Sequence, residues 1–125
     1  MFVKNLKSNA LAHSKARRAF TLIEIMIVVL IIGILLAIAV PNFVKARETS
    51  RTKACVSNLK QVEAAKEQWA MDNKKTGTDT PGDADLFGGT AYIKKKPDCP
   101  SGGTYTVGTV ATDPSCSKSA DGHAL

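Results

Sequence analysis

The chain has 125 residues, of which 44% are hydrophobic, and it carries a formal net charge of +6. This length allows one small domain. The positive charge does not indicate a nucleic-acid-binding surface, because the excess lies near the N-terminus rather than on the part of the chain that can fold into a body.

Residues 1–19 form a short basic leader without acidic residues. Its basic residues are Lys4, Lys7, Lys15, Arg17 and Arg18. An uncharged apolar run over residues 25–40 follows, with Phe20 and the residues after it able to extend the run. Positive charge before an apolar span favours a cytoplasmic N-terminus and an exported C-terminal body.

The apolar run is compatible with a secretory signal or with a plain signal anchor. Ala37-Ile38-Ala39 resembles a signal-peptidase site. The run is, however, longer than the roughly 7–15 residues of a signal h-region, and it is long enough to span a bilayer. Neither interpretation explains Glu24, because a carboxylate inside hydrocarbon is costly.

A third interpretation comes from the residues around the carboxylate. The stretch RRAFTLIE (residues 17–24), followed by the apolar run and by Pro41 in VPNF, resembles the N-terminal signal of type IV pilins and of type II secretion pseudopilins. The resemblance implies that a prepilin peptidase cuts between Ala19 and Phe20 and then N-methylates Phe20. It also implies that Glu24 faces the terminal amine of a neighbouring subunit in a filament. The family usually has glycine where this chain has Ala19.

This pairing supplies a physical reason for Glu24. A carboxylate in a low-dielectric helical bundle is costly when unpaired and much less so when paired with a cation. Glu24 is therefore predicted to select the correct axial register between subunits. The alternative is an acid that reaches the headgroup level without any assembly role.

The helix is predicted to continue to about residue 75, because residues 43–75 contain no glycine or proline. Apolar residues recur on one helical face at Cys55, Leu59, Val62, Ala65 and Trp69. Trp69 is expected to make the largest buried contact. Polar residues assigned to the remaining surface are Lys60, Glu63, Lys66 and Glu67.

Two positions are predicted to weaken this long helix. Pro41 removes one backbone hydrogen bond and clashes with the preceding turn, and Gly33 lowers helix propensity. We expect a bend or local melting at these two residues.

The C-terminal third is predicted to be a small head. Turn-forming residues end the helix at 76–83, a short helical turn is expected at 84–87, and strands are expected at 90–93, 104–110 and 122–125. The predicted fold class is α+β, with one long N-terminal helix and a small antiparallel β-sheet packed on its C-terminal half. The predicted divisions are a leader (1–19), a transmembrane and assembly helix (20–41), an exported amphipathic helix (42–76) and a head (77–125).

A disulfide is expected in so small an exported head. Cys99 and Cys116 flank the clearest strand, and a bridge between them is worth about 3 kcal/mol in the chain-entropy model. Cys55 lies on the apolar helical face and is expected to be buried and unpaired. The sequence leaves all three pairings open, including a bridge from Cys55 to the head.

Metal binding has limited support in the sequence. Asp79, Asp83 and Asp85 offer oxygen ligands for Ca²⁺, and pseudopilin heads carry calcium, but the spacing fits no EF-hand and a solvated acidic turn explains it. Without C-x-x-C spacing, a zinc site is not predicted. No other cofactor is expected.

Catalysis is not predicted either. His123 is the only histidine left after the expected cleavage, it lies near an end expected to be mobile, and no serine or cysteine is visibly arranged with it as a nucleophile. The lysines at 94–96 could dock an anionic partner, but protection of a sheet edge is the favoured explanation.

The resemblance implies a structural subunit of a type IV pilus-like or pseudopilus filament, not an enzyme. Its implied partners are other pilin-like subunits, a prepilin peptidase, an inner-membrane assembly platform and the membrane, with no specific nucleic acid. Its implied location is the bacterial inner membrane as a single-pass protein, and then a periplasmic or extracellular filament. The alternative is a membrane-anchored exported domain that never assembles.

Overall fold

The computed structural model describes residues 18–125, so most of the expected leader, residues 1–17, lies outside the described residues. The elements in chain order are helix α1 (Leu22–Asp72), helix α2 (Asp83–Leu86), strand β1 (Tyr105–Thr106), strand β2 (Ser115–Cys116) and a 3-10 helix (Ser119–Asp121). The long N-terminal helix followed by a small antiparallel sheet confirms the predicted fold class. The chain divides into two compact units, the first ending at Ile38 and the second comprising Ala39–Leu125.

Helix α1 begins where the sequence supplies a capping side chain. The Thr21 hydroxyl accepts a hydrogen bond from the backbone N–H of Glu24 at 3.3 Å, which satisfies one of the donors that every helix leaves unpaired in its first turn. The helix then runs through Gly33 and Pro41 without interruption. The bend expected at these two residues stays a prediction.

The helix ends at Asp72, slightly before the expected end near residue 75. Lys74 adopts a left-handed conformation with φ 51°, and the N–H of Lys75 donates to the carbonyl of Ala70 at 2.8 Å. This hydrogen bond spans six residues and encloses a left-handed residue, which is the pattern of a Schellman motif. The helix therefore ends at this left-handed turn, although Lys74 and Lys75 are good helix formers.

The apolar face predicted on α1 is buried. Val62, Ala65 and Trp69 pack with Leu86 and Val107 in one cluster. Cys55 and Leu59 join a second cluster, which also contains Cys99, Tyr105 and Cys116. The C-terminal segment thus covers the helix, as expected.

The strands differ from the prediction. β1 contains only Tyr105 and Thr106, which pair in antiparallel register with Cys116 and Ser115 respectively. The strand expected over 104–110 is cut short because the chain turns away at Gly108, where φ is +71°. Strand β2 was not predicted.

The strands expected at 90–93 and 122–125 are wrong. Residues 88–93 form a loop that is closed by two backbone bonds, from Ile93 N–H to Leu86 O and from Gly88 N–H to Ile93 O, each 2.9 Å. Residues 122–125 follow the 3-10 helix without forming a strand. The short helical turn expected near 84–87 is present as α2.

Lys66 corrects the assignment of the polar helix surface. Its side chain is 1% exposed, and its ammonium group donates to the backbone carbonyls of Val107, Thr109 and Thr112. A lysine in the middle of a helix looks like a surface residue in sequence. Here its donors satisfy carbonyls of a segment that forms no sheet ladder at those positions.

Candidate functional site

The N-terminal part of α1 presents an uncovered apolar surface. Large apolar side chains from Phe20 to Val44 are exposed in the isolated subunit, with Leu22 82% exposed and Phe20 78%. Within residues 18–125, α1 is the one helix long and apolar enough to cross a membrane. Burying such a surface is strongly favourable, so lipid or other helices must cover it.

Glu24 lies in the first turn of this apolar segment, beside the predicted cleavage position between Ala19 and Phe20. Gly33 has nothing within 4 Å of the position a Cβ would take, so its neighbourhood is open to contact from another chain. Processing, methylation and pairing of Glu24 stay predictions, as do the roles of Gly33 and Pro41.

A second group of chemically active side chains lies in the head. The sulfur atoms of Cys55, Cys99 and Cys116 and a ring nitrogen of His123 all lie within 4.8 Å of one another. All four residues are buried, and His123 is 0% exposed. We call these four residues the Cys-His cluster.

The cluster contains free thiols. Cys55, Cys99 and Cys116 are unbridged and buried in the described part of the chain, so the predicted Cys99–Cys116 disulfide stays a prediction. The burial expected for Cys55 is confirmed. The His123 imidazole is enclosed, and its Nδ1 lies 3.5 Å from the Cys99 sulfur. The mobility expected of this end of the chain stays a prediction.

The three thiols differ in acidity. Burial raises the pKa of Cys55 to about 12. Burial also opposes ionisation of Cys99, but backbone N–H donors of Ser101 and Gly103, with smaller contributions from the other two thiols, lower the pKa of Cys99 to about 7. The surroundings therefore favour the thiolate at Cys99 over the one at Cys55.

Comparison with known proteins identifies the family of the chain. Residues 14–40 match the family described as "Prokaryotic N-terminal methylation motif". The chain is 30% identical over 105 residues to type II secretion system core protein G of Klebsiella michiganensis, which covers 74% of each chain. The chain belongs to the type IV pilin and pseudopilin family.

Two further relatives have other names. The pilin-family chain is 38% identical over 85 residues to the ComG operon protein 3 homolog of Bacillus licheniformis, covering 68% of this chain and 84% of that protein. It is 52% identical over 58 residues to the type IV major pilin protein PilA of Myxococcus xanthus, covering 46% of this chain and 26% of that protein. No solved structure matches.

These relatives are structural subunits rather than enzymes, so this pilin-family protein is a structural subunit of a pilus or pseudopilus filament that polymerises with other pilin subunits. Its apolar helix anchors it in a membrane, and its filament lies outside the membrane. The functional class inferred from the sequence is confirmed.

The aspartates suggested as calcium ligands have separate partners in this pilin-family protein. The Asp79 carboxylate accepts from the N–H of Thr76 at 2.7 Å, and this bond lowers the pKa of Asp79. Asp85 accepts from the N–H of Gly82 at 2.8 Å. Asp83 pairs with Lys96 at 2.7 Å. Calcium binding stays a prediction, and the described residues do not bring these three carboxylates into a common ligand group.

The interpretation of the lysines at 94–96 is corrected, because they do not flank a sheet edge. Lys96 pairs with Asp83, and its ammonium group lies 5.6 Å from the centre of the Phe87 ring. Lys94 and Lys95 are exposed. Lys96 is therefore part of the surface around α2.

Sequence reasoning missed the Cys-His cluster because its members come from separate elements. Cys55 lies in α1, Cys99 precedes β1, Cys116 lies in β2, and His123 follows the 3-10 helix. C-x-x-C spacing therefore does not show whether these residues meet in space. The available signals were an odd number of cysteines and the presence of His123 in the same C-terminal segment as Cys99 and Cys116.

Proposed function

We propose that the chain is made as a prepilin, cut between Ala19 and Phe20 by a prepilin peptidase, N-methylated at Phe20, and polymerised from the inner membrane. The match of residues 14–40 to the methylation motif carries this proposal. The cleavage position follows from RRAFTLIE, in which a small residue precedes phenylalanine and the carboxylate follows shortly after.

The membrane orientation follows from charge. The basic leader keeps the N-terminus in the cytoplasm, and the C-terminal body is exported. Removal of the leader after insertion then leaves a positive amine at Phe20, on the cytoplasmic side, where an assembly platform engages the subunit.

The new amine supplies the partner for Glu24. In the filament, the carboxylate of one subunit faces the amine of Phe20 in a neighbour, while the exposed apolar side chains of residues 20–44 pack against other helices. An ionic pair inside an apolar bundle adds little net stability, but an unpaired charge there is costly. The pair therefore fixes the axial position of each subunit.

Mass spectrometry of the chain extracted from membranes tests this proposal. The expected mature N-terminus is methylated Phe20. An unprocessed chain starting at Met1, or a chain starting at Val40 after cleavage at Ala37-Ile38-Ala39, contradicts it. An Ala19→Gly variant is the matched comparison, because it restores the family's usual residue and should be processed at least as fast.

A further inference from the structure

We propose that Cys55, Cys99, Cys116 and His123 bind one structural Zn²⁺ ion that fastens the C-terminal segment to α1. Three thiol sulfurs and one imidazole nitrogen are the donor set of closed, four-coordinate structural zinc sites. All four donor atoms converge within 4.8 Å. The distance of 3.5 Å between Cys99 Sγ and His123 Nδ1 agrees with the roughly 3.5 Å between ligands of a tetrahedron with Zn–S near 2.3 Å and Zn–N near 2.0 Å.

The hydrogen bonds of His123 leave the correct nitrogen free for a metal. The Thr52 hydroxyl lies 3.1 Å from the Glu48 carbonyl oxygen and 3.2 Å from His123 Nε2. In the tautomer with the proton on Nε2, Thr52 accepts from His123 and donates to Glu48, so that both contacts are hydrogen bonds. Nδ1 then directs its lone pair toward the sulfur atoms, and Thr52 holds the ring as an outer partner holds a metal-binding histidine.

The sulfur atoms also have donors that suit thiolates. The Tyr105 hydroxyl accepts from Asn58 and donates to the Cys55 sulfur at 3.4 Å. The N–H of Lys118 donates to Cys116 at 3.5 Å. Such outer hydrogen bonds are typical of zinc-bound cysteines.

A zinc ion accounts for the cluster more completely than a disulfide. A disulfide uses two of the three thiols and leaves one thiol and a buried imidazole beside it. A zinc ion uses all four groups and connects α1 to three successive parts of a head whose sheet has only two residues in each strand. A head this small needs such a crosslink. Binding displaces the thiol protons to solvent and transfers no electrons.

Metal analysis of the full chain, extracted in detergent without added metal, is the first test. We expect one zinc per chain, with three sulfur atoms and one nitrogen in its X-ray absorption spectrum. Exchange with Co²⁺ should give sulfur-to-cobalt charge transfer and the visible bands of tetrahedral cobalt. A metal-free chain overturns the proposal, whether its intact mass is two hydrogens lower because of a disulfide or shows three free thiols.

Variants separate the site from adventitious binding. Cys116→Ser should lose stoichiometric zinc, whereas the neighbouring Ser115→Ala should keep it. Thr52→Val keeps all four ligands but removes the histidine's outer partner, and it should weaken zinc binding about 10–100-fold. Thr49→Val is its control, because Thr49 makes the same hydroxyl-to-carbonyl bond within the helix, to Lys45 at 3.0 Å, and is exposed.

Full zinc retention in Cys116→Ser, or equal affinity in the Thr52→Val and Thr49→Val variants, contradicts the proposal. If Cys116→Ser does not fold, the Thr52→Val comparison and the absorption spectrum still decide it. None of these results depends on cleavage at Phe20 or on Glu24, so the zinc site and the processing proposal fail independently.

Discussion

Glu24 has one role in the subunit and is expected to have a second role in the filament. In the subunit it lies in the first turn of α1, where its backbone N–H bonds to Thr21 and the helix dipole favours negative charge. This local role is compatible with any anchored helix. The apolar surface around Glu24 supplies the reason to expect a second role in the filament.

Glu24→Gln removes the negative charge while keeping the shape of the side chain. We expect leader cleavage and methylation to persist, while filament assembly is lost or slowed, because the amine at Phe20 of a neighbour no longer finds a carboxylate. Mass spectrometry reports processing, and electron microscopy of sheared filaments reports assembly. The control is Glu67→Gln on the exposed part of the same helix. Assembly at the normal rate in the Glu24 variant contradicts the register argument.

Gly103 is required by close packing beside the Cys-His cluster. A Cβ at this position would lie 2.6 Å from the Cys116 sulfur and 3.2 Å from the Cys99 sulfur. Both sulfur atoms lie on buried residues with little freedom to move, so a methyl group forces the packing apart.

Gly103→Ala should lower the free energy of unfolding by about 1–3 kcal/mol. Gly89→Ala is the matched control, because a Cβ there meets nothing within 4 Å. Denaturant unfolding of both full-length variants in detergent measures the difference. Equal stability of the two variants would show that the cluster tolerates movement at Gly103.

At the scale of elements, Lys66 connects α1 to the loop between β1 and β2. Its ammonium group donates to the carbonyls of Val107, Thr109 and Thr112, which lie outside the two-residue strands. The Thr109 carbonyl also accepts from the N–H of Thr112 at 3.2 Å. Burial lowers the pKa of Lys66, and Glu63, Asp113 and Glu67 oppose that shift. One side chain therefore replaces the ladder bonds that a longer strand would provide.

Lys66→Met keeps most of the aliphatic volume but removes every donor. Leaving buried carbonyls without a partner should destabilise the fold by about 1–3 kcal/mol. Lys60→Met, at an exposed position of the same helix, should have little effect. Chemical denaturation of both variants provides the measurement, and an unchanged unfolding midpoint for Lys66→Met contradicts this role.

The same variant has a defined dependence on pH. Because the pKa of Lys66 is lowered from its ordinary value of 10.5, the unfolded chain holds this proton at pH values where the folded chain has lost it. Stability contributed through this group therefore rises with pH until about 10.5. The stability difference between the natural chain and Lys66→Met should grow as pH increases toward that value, and a difference that shrinks would contradict the shift.

At the scale of the whole molecule, the two compact units differ in what covers their apolar side chains. In the unit comprising Ala39–Leu125, two clusters bury the apolar face of α1. In the unit ending at Ile38, the described apolar side chains are exposed. The second unit thus has a core of its own, whereas the apolar side chains of the first need lipid or other subunits to cover them.

This dependence predicts how the unassembled subunit fractionates. After removal of filaments, the remaining chain should stay with membranes through an alkaline carbonate wash, because the apolar helix is long enough to span the bilayer. Immunoblotting of the washed and released fractions measures this. Inserting charge with Ile31→Arg should increase release, whereas the conservative Ile31→Leu should not. Quantitative release of the natural chain contradicts a spanning helix.

Much of the fold follows from local patterns. The apolar run over residues 25–40 predicts the first half of α1, and the recurrence of Cys55, Leu59, Val62, Ala65 and Trp69 predicts its buried face. These features depend on runs and periodicities that are read within one helix. The head was predicted less well, because strands as short as two residues are determined by neighbouring segments rather than by propensity.

The sequence by itself determined the family, the membrane-spanning helix and the class of function, since a processing signal, an apolar run and a helical face are all contiguous. Only the tertiary structure decided that Lys66 is buried and that Cys55, Cys99, Cys116 and His123 meet. Both results depend on contacts between α1 and residues far along the chain. Such contacts arise from packing of the whole head on the helix, which no local spacing encodes.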